Sequence, residues 1–141
     1  MRVESFLDTN VLVYAAAGRD AEEPKRVRAL ELIEREDIGL SAQVLQEFYV
    51  TVTRKVEVPM SAEQALEWVE LFESFPCLPI DASMVKIAAE ISERFGIAYW
   101  DGAIVASAEA LGAQTLYTED LNNGQQYGSV WVQNPFQSAK R

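Results

Sequence analysis

The residues of this chain with chemistry to offer are its carboxylates. Histidine is absent from the 141 residues and cysteine occurs once, as Cys77. That removes histidine relays, histidine-ligated zinc, internal disulfides and cysteine-rich metal centres. Acids at four placements stand out. Asp8 directly follows the apolar run 3–7, and Thr118, Glu119 and Asp120 directly follow the apolar run 115–117. Glu47 lies between Leu45 and Phe48, at the border of an apolar helix face, and Asp101 precedes the uncharged stretch 103–108. Gathered carboxylates repel one another unless a cation sits among them, and oxygen ligands suit Mg²⁺ or Mn²⁺. Each acid also has a plainer reading. Asp8 and Asp101 fit as helix caps, Glu47 as a solvated helix-edge charge, and 118–120 as a polar turn.

The elements that must position these acids follow from periodicity and punctuation. Residues 3–7 read as a buried strand, with Asp8-Thr9-Asn10 opening a helix that Gly18 closes. Pro24 sits in the first turn of a second helix, with Val27, Leu30 and Ile33 or Glu34 at helical spacing. A short strand at 38–40 leads to Ser41, which caps a helix with Val44, Leu45, Phe48 and Val52 on one face, running to about Lys55. Ser61-Ala62-Glu63-Gln64 is a capping-box pattern, followed by Ala65, Trp68, Val69 and Phe72 on one face. The proline-flanked segment 76–80 suggests a sheet edge. Asp81 opens a helix with Met84 or Val85, Ala88, Ile91 and Phe95 inward and Gly96 at its end. A last helix starts at Trp100-Asp101 and stops at Gly112. Short strands are expected at 115–117 and 130–132. Strands alternating with helices imply an α/β fold with a mostly parallel sheet. In such a sheet Asp8 and 118–120 fall at the same, carboxyl, edge, where ligands bind. No repeat or linker divides the chain, so the expectation is one domain over 1–136 with a short tail, 137–141.

Composition sets the class. With 49% hydrophobic and 24% charged residues, the chain reads as an ordinary globular domain. No export signal is visible near Met1, and no run approaches the roughly 18 apolar residues of a membrane span, so the expectation is a cytoplasmic protein without a membrane partner. The net charge of −10 argues at first against nucleic acid. The charge is uneven, however. Residues 1–55 carry 10 acids and 8 bases, whereas residues 56–120 carry 12 acids and 2 bases. The sign of the whole chain therefore does not decide its partner.

At the acid positions the sequence resembles the PIN-domain ribonucleases, in particular the VapC-type toxins of bacterial toxin–antitoxin pairs. The matching pieces are Phe6-Leu7-Asp8-Thr9-Asn10, Gln46-Glu47-Phe48-Tyr49, Tyr99-Trp100-Asp101-Gly102 and Thr118-Glu119-Asp120-Leu121, in family order across residues 3–135. The resemblance implies a three-layer α/β/α fold and a metal-dependent endoribonuclease that acts as a toxin. It implies that Asp8, Glu47, Asp101 and Asp120 form an acidic quartet holding one or two Mg²⁺ or Mn²⁺ ions for hydrolysis of an RNA phosphodiester. Thr9 or Asn10 and Thr118 would be supporting polar groups, with Glu119 an outer neighbour. Gly102 stands where many relatives carry alanine. Arg19, Lys25, Arg26, Arg28, Arg54 and Lys55 are candidates to guide the RNA backbone, each otherwise a solvated surface charge. Partners implied are a second copy of the chain, in a homodimer, and a small VapB-type antitoxin. Tyr49, Trp68 and Phe72 would serve a partner groove, or else pack in the core.

Rival readings fit less well. A receiver-like signalling domain needs an acidic pair after its first strand and a late lysine, but a single acid follows 3–7 and no lysine occurs between Lys86 and Lys140. A dehalogenase-like phosphatase needs Asp-x-Asp, and the chain has Asp8-Thr9-Asn10. A structural acidic domain, and an RNA-processing PIN nuclease without an antitoxin, remain as alternatives.

Overall fold

The computed structural model describes residues 3–137. Its sheet contains β1 (Ser5–Leu7), β2 (Ile38–Ser41), β3 (Cys77–Leu78), β4 (Thr115–Tyr117), β5 (Gln126–Tyr127) and β6 (Val130–Gln133). The strand order is β3-β2-β1-β4-β6-β5, parallel except for the β5–β6 hairpin. The chain moves outward from β1 to β2 to β3, then returns past β1 to β4. Right-handed crossovers place helices from the outward and return legs on opposite faces of the sheet. Helices α1 (Thr9–Ala17), α2 (Glu23–Ile33), α3 (Ala42–Val50) and α4 (Ala62–Phe72) belong to the outward leg. Helices α5 (Ala82–Phe95) and α6 (Tyr99–Ala110) form the return leg and pack on each other. The result is the expected three-layer α/β/α arrangement.

Capping chemistry explains the helix starts. Ser41, Ser61 and Asp81 accept from the backbone amides of Val44, Gln64 and Met84, and Ser61 with Gln64 completes the capping box. Gly96 ends α5 in the left-handed conformation, φ 66°, which a residue without Cβ adopts at little cost. The core runs through the sheet and both helical layers, with Phe6, Leu12, Leu40, Val44, Phe48, Phe72 and Leu116 fully buried. Phe72 stacks edge-on to Phe48 at 5.1 Å, and Tyr49 and Trp68 are half-buried against the same cluster, so these aromatics pack in the core. At the C-terminal end, Phe136 packs edge-on to Tyr14 at 4.9 Å and Arg28 donates to the Pro135 carbonyl. The expected tail, 137–141, lies outside the described residues beyond Gln137. Among the described residues, no helix is long and apolar enough to cross a membrane.

One expectation needs correction, and two are sharpened. The α2 face turns on Ala29 and Leu32, both buried, while Val27 is 45% exposed. Helix α2 packs on α1. In α5, Met84 rather than Val85 turns toward the core. The helix after Ser41 does reach Lys55, but its last five residues, Thr51–Lys55, widen into a π-helical turn. The strand β5 was not expected, since two residues carry no readable alternation.

Gly102 of α6 lies close against the α5 backbone. A Cβ there would lie 2.7 Å from the Ala88 carbonyl oxygen and 3.1 Å from the Ser92 nitrogen. Backbone atoms cannot yield as a flexible side chain can, so the alanine common among relatives is not equivalent here. Overpacking costs about 1–3 kcal/mol, against up to about 1 kcal/mol gained in helix propensity. Gly102→Ala is therefore expected to lower the denaturant midpoint. An unchanged or raised midpoint would show that α5 and α6 separate freely.

Candidate active site

The sheet order reverses between β1 and β4, and the crevice beyond their carboxyl ends is where open α/β sheets bind ligands. The register pairs Leu7 with Tyr117, so the next residues, Asp8 and Thr118, emerge side by side. The Asp8 amide donates to the Tyr117 carbonyl at 3.0 Å, extending the ladder by one bond. Thr118 Oγ1 then donates to Asp8 Oδ2 at 2.8 Å, between groups that are 0% and 5% exposed. The other carboxylate oxygen, Oδ1, accepts from the Thr9 amide at 2.7 Å, so Asp8 caps α1 and faces the crevice at once.

Two side chains on the first turn of α1 reach to the remaining acids. Thr9 Oγ1 donates to Glu47 Oε1 at 2.7 Å. Asn10 Nδ2 donates to Asp120 Oδ2 at 3.1 Å and to Thr118 Oγ1 at 3.2 Å, while the Asp120 amide donates to the same Oγ1 at 3.0 Å. Asn10 Oδ1 is buried without a hydrogen-bond partner among the described residues. Asp101 lies inside the first turn of α6, whose cap position is Ala98, and it makes no capping bond. The plainer reading of Asp101 as a cap is thereby removed. The acids are held apart by the hydroxyl and amide groups between them. Among the described residues no three of them close into a ready metal-binding group.

Electrostatics couples the four acids indirectly, since Asp8 and Asp101 each feel both Asp120 and Glu47. Burial, reinforced by Asp120 and Glu47, pushes the Asp8 carboxyl up to about 7 from its ordinary 3.8, against the opposing pull of its Thr118 and Thr9 hydrogen bonds. Asp101 is also pushed up, by burial first and then by Asp120 and Glu47. A strongly shifted acid such as Asp8 at this sheet edge makes the edge a candidate functional site. Glu119, by contrast, turns away from Asp8, accepting from Tyr14 Oη at 2.8 Å and pairing with Lys25 at 3.2 Å. It ties the loop after β4 to α1 and α2 and takes no part in the network around Asp8.

The basic candidates divide in the same way. Lys25, Arg26 and Arg28 pair with Glu119, Glu23 and Glu31. Arg19, Arg54 and Lys55 have no acidic partner among the described residues. Of the six, Lys55 alone lines a cavity with Glu47 and Thr9. Gln43 is a site residue that pattern reading passed over. It is buried and donates from Nε2 to Glu47 Oε2 at 3.1 Å and to the Trp100 carbonyl at 3.3 Å, so it joins α3 to α6. Its position four residues before Glu47, one helical turn away, was the available signal.

The raised Asp8 carboxyl makes stability depend on pH. Between about 3.8 and 7 the folded chain holds a proton on Asp8 that the unfolded chain has lost. The stabilisation is full below the lower value and is lost as pH rises through the upper one. Each pH unit between them is worth about 1.4 kcal/mol, so the loss reaches roughly 4 kcal/mol at most. In chelator, Asp8→Asn is expected to gain stability relative to the parent between pH 5 and pH 8. Denaturant midpoints that run parallel across this range would refute the assignment.

Comparison with known proteins agrees with this arrangement. The family model of the PIN domain matches residues 5–124. No curated protein sequence matches the chain. Among solved structures, a VapC toxin of Mycobacterium tuberculosis, described as cleaving the sarcin–ricin loop, is 19% identical. It covers 83% of this chain and 90% of its own, with a TM-score of 0.66. A chain of a toxin–antitoxin complex from Klebsiella pneumoniae is 16% identical over 94% of this chain and 98% of its own, with a TM-score of 0.70. A chain of the FitAB complex bound to a DNA fragment is 27% identical over 96% and 98%, with a TM-score of 0.65. The matched span runs from β1 through the loop after β4 and so takes in all four acids, which sets aside the receiver-like and dehalogenase-like readings. The chain belongs to the PIN-domain family.

Proposed function

We propose that the chain is a Mg²⁺- or Mn²⁺-dependent endoribonuclease that hydrolyses RNA phosphodiester bonds as the toxin of a toxin–antitoxin pair in the cytoplasm. The observation that carries this reading is the hydrogen-bond network that links Asp8, Glu47 and Asp120 through Thr9, Asn10 and Thr118 at the switch point of the sheet, with Asp101 coupled by charge to Glu47 and Asp120. Each of the first two is fixed through Thr9, and Asp8 and Asp120 are both tied to Thr118. The donor set suits a hard cation, since every candidate ligand is oxygen. The buried Asn10 Oδ1, unpartnered among the described residues, and the crowded Asp8 carboxyl would each gain from a nearby positive charge. One or two ions held by the four acids would supply Lewis acidity toward water and the phosphoryl oxygens.

The chain's own residues then have distinct tasks. Thr118 and the Thr9 amide set the angle of the Asp8 carboxylate, and Gln43 with Thr9 sets that of Glu47. Asn10 holds Asp120. Lys55 offers a free cation at the cavity edge for a substrate phosphate. The sarcin–ricin-loop-cleaving neighbour supports RNA as the substrate, and the toxin–antitoxin and FitAB neighbours support a small VapB-type antitoxin as partner. Exposed Leu66, Leu71, Val85 and Ile87 leave apolar surface for the antitoxin and for pairing of two copies.

The test is cleavage of a panel of structured RNAs. Wild type is expected to cut in Mg²⁺ or Mn²⁺ and to stop in chelator, and Asp8→Asn and Asp101→Asn to fall to background. Thr118→Val, which leaves the acids in place but loosens them, is expected to lose about 10–100-fold. Cleavage that survives chelator, or an Asp101→Asn variant as active as wild type, would overturn the mechanism. Expression in a bacterial host is expected to arrest growth, with relief by Asp101→Asn. RNA cleavage without arrest would keep the nuclease and remove the toxin role.

A further inference from the structure

Trp100 is 64% exposed, the most open large apolar side chain among the described residues, and it directly precedes Asp101. An indole left in water at the first turn of a helix contributes little to folding, and it is not part of the packed core. Yet its position is fixed. Its carbonyl is held by Gln43, and its ring meets Tyr99 nearly perpendicularly, at 83° and 5.0 Å between centroids. It forms one wall of a cavity of about 470 Å³, within the size range of small-ligand sites. Thr9, Glu47, Gln43 and Gln46 line the same cavity, and Lys55 lies at its rim. The π-helical turn at Thr51–Lys55 carries that lysine, and it has no acidic partner among the described residues.

An aromatic platform, the exposed Gln46 amide and an ammonium group without an acidic partner around one cavity match the parts of a nucleotide, while the Gln43 amide is already engaged by Glu47 and the Trp100 carbonyl. Bases stack on aromatic faces whatever their sequence, amides hydrogen-bond base edges, and lysine meets phosphate. We propose that this cavity is a binding subsite for one unpaired nucleotide of the substrate strand, its base stacked on Trp100 and its phosphate drawn toward Lys55. The inference rests on the ribonuclease reading and deepens it. Because Glu47 and Thr9 belong both to the cavity and to the acidic network, a nucleotide seated there delivers the neighbouring phosphodiester to the acids. The subsite requires a base that is unpaired, which favours loops and single strands over duplex. A protein segment is the rival occupant, since Val50 beside the cavity is also exposed.

Two probes separate base from backbone. One is a mixed-sequence single-stranded RNA about a dozen nucleotides long, and the other is a sugar–phosphate chain of equal length without bases. Binding in Mg²⁺ is read by fluorescence anisotropy before cleavage proceeds. Trp100→Ala is expected to weaken the RNA by about fivefold to a hundredfold and the base-free chain by less than about twofold. Trp100→Phe should recover most of the loss, and Lys55→Ala should weaken both probes and flatten the salt dependence. The thermal midpoint of Trp100→Ala should match wild type, since the side chain is exposed. If wild type cleaves RNA and Trp100→Ala binds both probes unchanged, the subsite is overturned and the nuclease reading stands. If wild type neither binds nor cleaves RNA, both fall. Loss of self-association in Trp100→Ala, with RNA binding intact, would overturn the subsite in favour of a protein interface.

Discussion

The hydrogen bond from Thr118 to Asp8 joins the two strands at which the sheet reverses direction, and the other site contacts are arranged around it. Its length is 2.8 Å and both partners are buried. A carboxylate so placed has little water to stabilise its charge, so its partners decide both its orientation and its protonation. Thr118 Oγ1 gives its proton to Asp8 and accepts from Asn10 and from the Asp120 amide. One hydroxyl therefore fixes the relation between the acid after β1 and the acid after β4. The parallel pairing of β1 with β4 is what brings the two together.

Stability and function pull apart at this point. Folding alone would favour a neutral group at position 8, because burial and the nearby acids raise the Asp8 carboxyl to about 7. The fold tolerates the cost because the surrounding core is large and the network is short and well partnered. Sites of this kind, destabilising without a ligand and satisfied with one, are where perturbed carboxyls concentrate. The helices differ accordingly in their demands. The α5–α6 contact at Gly102 admits no added methyl group, and it sets the position of the residue next to Asp101.

Charge is sorted by the tertiary structure in a way that total charge conceals. A surplus of ten negative charges suggests a surface that repels RNA. In the folded chain, Asp8, Glu47 and Asp120 are held in one hydrogen-bond network, and three basic side chains on α2 are engaged with acids of α2 and of the loop after β4. The basic group left at the crevice is Lys55, carried there by the wide turn that ends α3. Local pairing, rather than overall balance, decides which charges a substrate meets.

Much of this was legible in the order of residues. The capping residues Asp8, Ser41, Ser61 and Asp81 and the terminator Gly96 act where their side-chain chemistry places them. The acids after the apolar runs 3–7 and 115–117 fell at one sheet edge because parallel topology leaves them no other. Such features depend on neighbours a few residues away, which the sequence displays. Other features depend on what lies across space. Alternation cannot mark a two-residue strand such as β5, and helical spacing alone did not distinguish Val27, which is exposed, from Ala29, which is buried. Glu119 and Asp120 are adjacent, yet one turns to Lys25 and the other to Asn10. Gln43 and Trp100, 57 positions apart, become neighbours only when α3 and α6 are brought together. Residue types and their order marked which groups could do chemistry and set Asp8 and 118–120 at one edge of the sheet. The tertiary structure decided which of them face one another, because side-chain direction and pairing are set by packing between distant segments.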